Sequence, residues 1–258
     1  MLFSHRVLGT WSGKVTRYLA LTEFMRDKMI AGGLPADRVV VKPNSVEETG
    51  LGLGEGNHFL FVGRLSPEKG VDVLLAAWRL LRARIEAETP LGLSRRLRIV
   101  GTGPMEMQLR AMAVGWPEVE FLGHLPACAV REEIGRAAAV ILPSIWYEGL
   151  SRVMTEAFSK GTPVIASAIG PIGRAVKHGE NGQLFRVGDA VDLADTLERF
   201  PAAGAELSQL RAGARADFER QYESEVVYKR LMEIYKGAIA EVRGGAGARR
   251  ARETGAAH

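Results

Sequence analysis

Eight residues between a short apolar run and a helix make the first cluster able to do chemistry: Gly63-Arg64-Leu65-Ser66-Pro67-Glu68-Lys69-Gly70. Backbone N–H groups at a helix N-terminus attract anions, and Gly63 and Gly70 permit close backbone approach. Arg64 offers a planar fork of donors and Lys69 a point charge. Together they suit a diphosphate; a surface turn with two solvated cations is the competing reading. A second loop runs Pro143-Ser144-Ile145-Trp146-Tyr147-Glu148-Gly149-Leu150-Ser151 and opens a helix that carries Glu156. Val153, Met154, Ala157 and Phe158 form the core face of that helix, which puts Glu156 at the edge of the buried side. A carboxylate there needs hydroxyl or N–H partners. Sugar and ribose hydroxyls would serve, while two solvated carboxylates are the simpler reading of Glu148 and Glu156 taken by themselves. A third loop, Gly101-Thr102-Gly103-Pro104, resembles a dinucleotide fingerprint, but Glu106 stands where its third glycine belongs. A loop over a nucleotide base and a plain turn both fit.

These loops need strands and helices to hold them. Phe59 to Val62, Leu97 to Val100, Val119 to Leu122, Val140 to Leu142, Val164 to Ala166 and Gln183 to Phe185 read as short buried strands. Helical patterns separate them: Leu74, Leu75, Trp78 and Leu81; a helix near Pro104; Ala127 to Ala138; Ser151 to Ser159; a short one after Pro171; then Asp192 to Phe200 and Glu206 to Tyr222. This alternation predicts an α/β fold with a doubly wound, Rossmann-like parallel sheet, whose ligands bind in the loops at the strand C-termini. Ahead of it, Arg17 to Leu21 and Val39 to Val41 read as strands flanking a helix that Thr22 caps, Met25 and Met29 share, and Gly32-Gly33 stops. Five segments follow: 1–42, a strand–helix–strand piece that cannot bury itself alone; 43–56, a glycine-rich linker or hinge; 57–222, the sheet domain; 223–243, an amphipathic C-terminal helix; and 244–258, a Gly, Ala and Arg rich tail expected to be disordered.

Composition narrows the classes. Hydrophobic residues make up 47% and charged residues 25% of the 258, which excludes a wholly disordered chain. A net charge of +4 fits either a plain basic surface or attraction to an anionic ligand or membrane face. Cys128 is the one cysteine, so no internal disulfide can form, and the five histidines are scattered without metal-ligand spacing. No apolar run approaches the ~18 to 20 residues that span a bilayer, and Met1 to Arg6 does not open a secretory signal. A cytoplasmic protein is expected, with peripheral contact at the inner membrane face as its membrane option. The Arg249-Arg250-Ala251-Arg252 cluster reads as a solvated tail, with contact to anionic lipid or RNA as the competing reading, and no nucleic-acid partner is expected.

The order of the segments FVGRLSPEKGVDVLLAAW, IVGTGP, FLGHLP, PSIWYEGLSRVMTEAFSKGTPVIAS and HGENGQLF resembles the C-terminal donor domain of retaining GT-B glycosyltransferases of family 4, over about residues 39 to 240. Glu148 and Glu156 match that family's E-x7-E pair. The resemblance implies that Arg64 and Lys69 hold a donor diphosphate and stabilise the leaving group. It implies that Glu156 accepts from ribose hydroxyls and Glu148 contacts the transferred sugar. The backbone of Gly149, Leu150 and Ser151 would cradle sugar and phosphates beside Gly63; Gly101, Gly103 and the loop near His124 would line the base. Arg64, Lys69 and Glu148 are the catalytic candidates. The co-substrate would be a UDP- or GDP-sugar, with no cofactor and no metal, and the acceptor a glycan or lipid-linked molecule of cell-surface or exopolysaccharide synthesis.

Two departures from the family pattern stand out. Gly170-Pro171-Ile172-Gly173-Arg174 places Arg174 where the family has Glu. Only about 40 residues precede the linker, which looks like the end of a truncated N-terminal acceptor domain, whose cut face would favour self-association or a partner. The alternatives to an active transferase are a catalytically incompetent donor-binding module and an inert fragment.

Overall fold

Thr22 lies between the first two elements, β1 (Tyr18–Ala20) and α1 (Glu23–Ala31), and its Oγ1 accepts from the Met25 N–H at 3.2 Å, capping α1. Gly33, at φ +97°, turns the chain out of the helix toward β2 (Val39–Val41), which pairs parallel with β1. α1 buries none of its residues; Met25 and Met29 are half-buried. The computed structural model describes residues 9, 14–54, 58–88, 96–201 and 203–255. The opening Met1 to Arg6, the end of the glycine-rich run at 55–57 and the last three residues of the tail lie outside them.

The following elements build the sheet. In chain order they are β3 (His58–Val62), α2 (Val71–Glu88), β4 (Arg96–Val100), α3 (Glu106–Met112), β5 (Val119–Gly123), α4 (Ala127–Arg136), β6 (Ala139–Leu142), α5 (Arg152–Ser159), β7 (Val164–Ser167), α6 (Gly170–Ala175), β8 (Gly182–Phe185), α7 (Ala190–Arg199) and α8 (Ala205–Gln221). All six strands are parallel, in the order β5-β4-β3-β6-β7-β8. Side chains alternate across a strand, and both faces of this sheet are covered. Phe59, Phe61, Leu97, Ile99, Ile141 and Ile165 pack under α2, α3 and α7. Leu60, Val140, Leu142, Val164 and Ala166 pack under α4, α5, α6 and α8. The strand order reverses beside β3: β4 and β5 extend to one side, then the chain returns to the other side for β6. Loops leaving β3 and β6 therefore diverge, and the crevice between them is the ligand position of such sheets.

The chain divides into two units, Val46–Glu223 and Met1–Ser45 with Ser224–His258. α9 (Ser224–Gly255) thus belongs with β1, α1 and β2, and Glu241 on it pairs with Arg17 at 2.6 Å. Its backbone stays helical from Gly244 to Gly255, where the sequence predicts a disordered tail. Ala, Arg and Glu between the glycines are strong helix formers, and extending an existing helix avoids the cost of nucleation. No described helix is long and apolar enough to cross a membrane.

The linker reading also changes. From Val46 to Gly54 the run is a strap on the larger unit: Val46 N–H donates to Tyr222 O, Gly52 N–H to Lys160 O and Gly54 N–H to Gly135 O. A Cβ on Gly52 would lie 2.3 Å from the Gly135 carbonyl oxygen, so this glycine serves close backbone approach. Arg211 on α8 donates to the carbonyls of Gly52 and Lys160, and Arg215 to that of Ser159. These cations answer the unpaired carbonyls at the end of α5, the helix whose opposite end faces the crevice.

Candidate functional site

The loop after β3 is shaped by its own short contacts. Ser66 Oγ donates to Glu68 Oε1 at 2.6 Å, which, with a backbone hydrogen bond, holds the Glu68 carboxyl below its ordinary range. A turn of 3-10 helix over Pro67–Lys69 ends at Gly70, φ +66°. A side chain there would be blocked, since an added Cβ falls 2.0 Å from Pro143 O in the loop after β6. Ile145 N–H donates to Glu68 O at 3.0 Å, joining the same two loops a second time.

This junction brings Lys69 to Glu148. Lys69 Nζ lies 2.6 Å from Glu148 Oε1, and the same oxygen accepts from Ser144 Oγ at 2.6 Å. The pair sits over the β3/β6 crevice, where strand order reverses. Arg64 is exposed on the same loop; its carbonyl accepts from Ser66 N–H, and its guanidinium makes no hydrogen bond or ion pair among the described residues. A cation free to meet an anion and a carboxylate with one oxygen open thus occupy the two lips of the crevice.

The loop after β4 lies against the same assembly. Gly101, at φ +129°, and Gly103 would place added Cβ atoms 1.9 Å from Gly63 O and 2.3 Å from Leu65 O. Leu65 N–H donates to Thr102 O, and Gly63 N–H to Val100 O. The two glycines read from sequence as base-lining therefore also have a packing role: they let the loops after β3 and β4 touch backbone to backbone. His124 is exposed at the end of β5, the edge strand two places from β3. At ~4.8 Å per strand that puts its loop roughly 10 Å from the Lys69 loop.

Ser151 caps α5 through its side chain, which accepts from Met154 N–H at 3.3 Å, and Gly149 and Leu150 form the approach to it. Glu156 is 7% exposed, on the buried side of α5 beside Met154, Ala157 and Phe158. Arg152 Nε donates to its Oε1 at 3.0 Å from a largely exposed side chain. Glu148 and Glu156 do not meet; each has its own cation. Two contributors are absent from the sequence reading. Ser144, 2% exposed, is the hydroxyl that holds Glu148. Tyr147 lies over Gly170, whose added Cβ would meet it at 2.6 Å, tying the loop after β6 to the start of α6. Both stand inside the loop already singled out, but only a folded backbone says which side chain turns inward. Among the described residues no three His, Cys, Asp or Glu gather as a metal site.

Comparison with known proteins agrees with this architecture. The family model described as "Glycosyl transferases group 1" matches residues 56–201. The amylovoran biosynthesis glycosyltransferase AmsK of Erwinia amylovora is 30% identical over 230 residues, covering 84% of this chain and 55% of its own. The phosphatidyl-myo-inositol mannosyltransferase of Mycobacterium leprae is 32% identical over 250 residues, 89% of this chain and 61% of its own. The chain thus spans somewhat more than half the length of these curated relatives. Among solved structures, Anabaena Alr3699/HepE in complex with UDP-glucose superposes with a TM-score of 0.73 at 19% identity, covering 91% of this chain and 68% of that one. A glycosyltransferase from Rickettsia africae superposes with a TM-score of 0.76 at 16% identity, covering 92% and 67%. The six-stranded parallel sheet is the one these GT-B glycosyltransferase structures share, and with its matched family model the chain belongs to the group 1 glycosyl transferases.

Proposed function

We propose that the larger unit binds a nucleoside-diphosphate sugar in the β3/β6 crevice and presents it for retaining transfer to a glycan or lipid-linked acceptor in cell-surface or exopolysaccharide synthesis. The observation that carries the reading is the Lys69–Glu148 contact at the point where strand order reverses. Two relatives named for amylovoran and colanic acid biosynthesis support the polysaccharide setting. UDP and UDP-glucose in the Alr3699/HepE structures support the donor class.

In this reading Arg64 and Lys69 face the diphosphate. They neutralise the charge that grows on the leaving phosphate as the glycosidic bond breaks, so their attraction is strongest in the transition state. Lys69 has three N–H donors, so it can reach a phosphate oxygen while its loop stays fastened to the loop of Glu148. Glu148 accepts from a hydroxyl of the transferred sugar, and Glu156 from the ribose hydroxyls. The acceptor oxygen attacks the anomeric carbon from the side the diphosphate leaves, and the departing phosphate oxygen takes its proton. The two cations supply the positive charge, so the scheme calls on no metal ion. The reading keeps the protein in the cytoplasm, at the inner membrane face when the acceptor is lipid-linked.

A second reading is favoured by the share of its relatives' length that the chain spans. These residues would bind donor, and transfer would need residues that the relatives carry elsewhere, because catalysis requires acceptor and donor to be held together. Titration calorimetry of the folded chain with UDP, GDP, UDP-glucose and GDP-mannose tests both readings, followed by assay of donor hydrolysis for any ligand bound. Binding with turnover supports the first reading and binding without turnover the second. Failure of all four to bind the folded chain would remove both.

A further inference from the structure

We propose that Ser144 is a positioning residue for Glu148, fixing which carboxylate oxygen faces the transferred sugar; this rests on the nucleotide-sugar reading of the crevice. Ser144 is 2% exposed, and its Oγ donates to Glu148 Oε1 at 2.6 Å. Its backbone is pinned on both sides. Pro143 O lies against Gly70, and Ile145 N–H donates to Glu68 O. A buried hydroxyl on a pinned backbone has few directions available to it.

Lys69 holds the same oxygen from a different kind of support. Its Nζ ends a flexible four-carbon stem and is the group that an arriving diphosphate attracts. Ser144 cannot follow a phosphate, so it is the partner that keeps Glu148 in place once Lys69 is engaged. Both donors use Oε1, and Oε2 accepts no hydrogen bond among the described residues. Glu148 is partly exposed, so Oε2 is the oxygen left for a sugar hydroxyl. Ser144 thus acts on the sugar through Glu148 and on the nucleotide not at all.

The test compares each nucleotide with its sugar derivative, UDP with UDP-glucose and GDP with GDP-mannose, by calorimetry on the whole chain. Ser144→Ala is expected to weaken the sugar nucleotide roughly ten-fold, as for loss of one hydrogen bond to a charged group, while the free nucleotide binds as before. Ser144→Thr, which keeps the hydroxyl, is expected to recover most of the loss. Ser144→Ala combined with Glu148→Ala is expected to bind no worse than Glu148→Ala alone. Equal weakening of nucleotide and sugar nucleotide would mark Ser144 as merely structural and overturn the proposal. So would unchanged sugar-nucleotide binding in Ser144→Ala, or losses that add in the double variant. Should Ser144→Ala not fold, Ser144→Cys, similar in size and a weaker donor, takes its place under the same comparison. Failure of the folded wild-type chain to bind any of the four ligands would overturn the reading of the crevice and this proposal with it.

Discussion

Lys69 and Glu148 are 79 residues apart in sequence, and their side chains meet at 2.6 Å across the two loops where the sheet changes direction. Both are partly exposed, so the pair adds little to stability, within about 1 kcal/mol for an ion pair reached by water. Lys69→Met is therefore expected to leave the melting temperature nearly unchanged and to weaken UDP or GDP binding by about ten-fold or more, as for loss of a charge-assisted phosphate contact. A calorimetric titration beside a thermal melt checks both halves. A large fall in melting temperature would make the pair structural instead.

Glu156→Ala should separate nucleoside from phosphate recognition. The carboxylate is buried beside the core of α5, with an exposed arginine as its partner. Its loss is expected to weaken UDP and uridine binding in about equal proportion, roughly ten- to hundred-fold for hydrogen bonds to a charged acceptor. Arg64→Ala should weaken UDP far more than uridine. If the two variants gave the same profile across uridine and UDP, the division of labour drawn here would be wrong.

Gly70→Ala tests the junction of the loops themselves. A left-handed φ and a Cβ 2.0 Å from Pro143 O act together, and the obstacle is backbone that cannot rotate away. The expected cost is about 2–4 kcal/mol, from strain and overpacking combined. Chemical denaturation should register it as a lower midpoint at unchanged slope, together with loss of nucleotide binding.

The six sheet strands, the helices between them and the Thr22 capping position were legible because apolar periodicity and turn residues act locally. The site was legible as a set of loops, since its residues lie at strand C-termini in a recognisable order. What sequence could not supply was direction. Asn-Gly is an ordinary turn signal, yet Asn181 before Gly182 is fully buried, its side-chain amide N–H donating to Asp217 on α8 and its side-chain oxygen accepting from Lys177 N–H. Gly52 looked like linker flexibility, yet it answers to Gly135, 83 residues later. The helix beyond Gly244 is hidden in the sequence by its glycines, because the Ala and Arg residues between them extend a helix only when one already precedes them. In each case a partner distant in sequence, or the state of the preceding helix, decides the outcome.

His58 should make stability depend on pH. It is buried at the start of β3, with Glu133 Oε2 at 3.6 Å from its Nε2 and Arg98 donating to that same carboxylate. Burial, with Arg98 adding to it, lowers the imidazole pKa below 6.5 despite the opposing pull of Glu133 and Glu120. The unfolded chain then binds the proton more readily than the folded one. His58 therefore favours the folded state above pH 6.5, and this contribution is lost as pH falls through 6.5 toward the lowered folded value. His58→Gln is expected to flatten the decline in melting temperature between pH 7.5 and about pH 5.5. An identical decline in wild type and variant would acquit this histidine.

Val46 and Glu223 form an isolated parallel bridge, and Val46 N–H also donates to Tyr222 O. The chain therefore enters the larger unit and leaves it through the same doorway. Residues 46–223 are in topology an insertion, with their two ends side by side, and insertions of that kind can be lifted out or grafted with little disturbance to either neighbour. The crevice can in this way be treated as an exchangeable cassette, cut at Ser45 and at Ser224, without interrupting a strand or helix of the sheet that forms it.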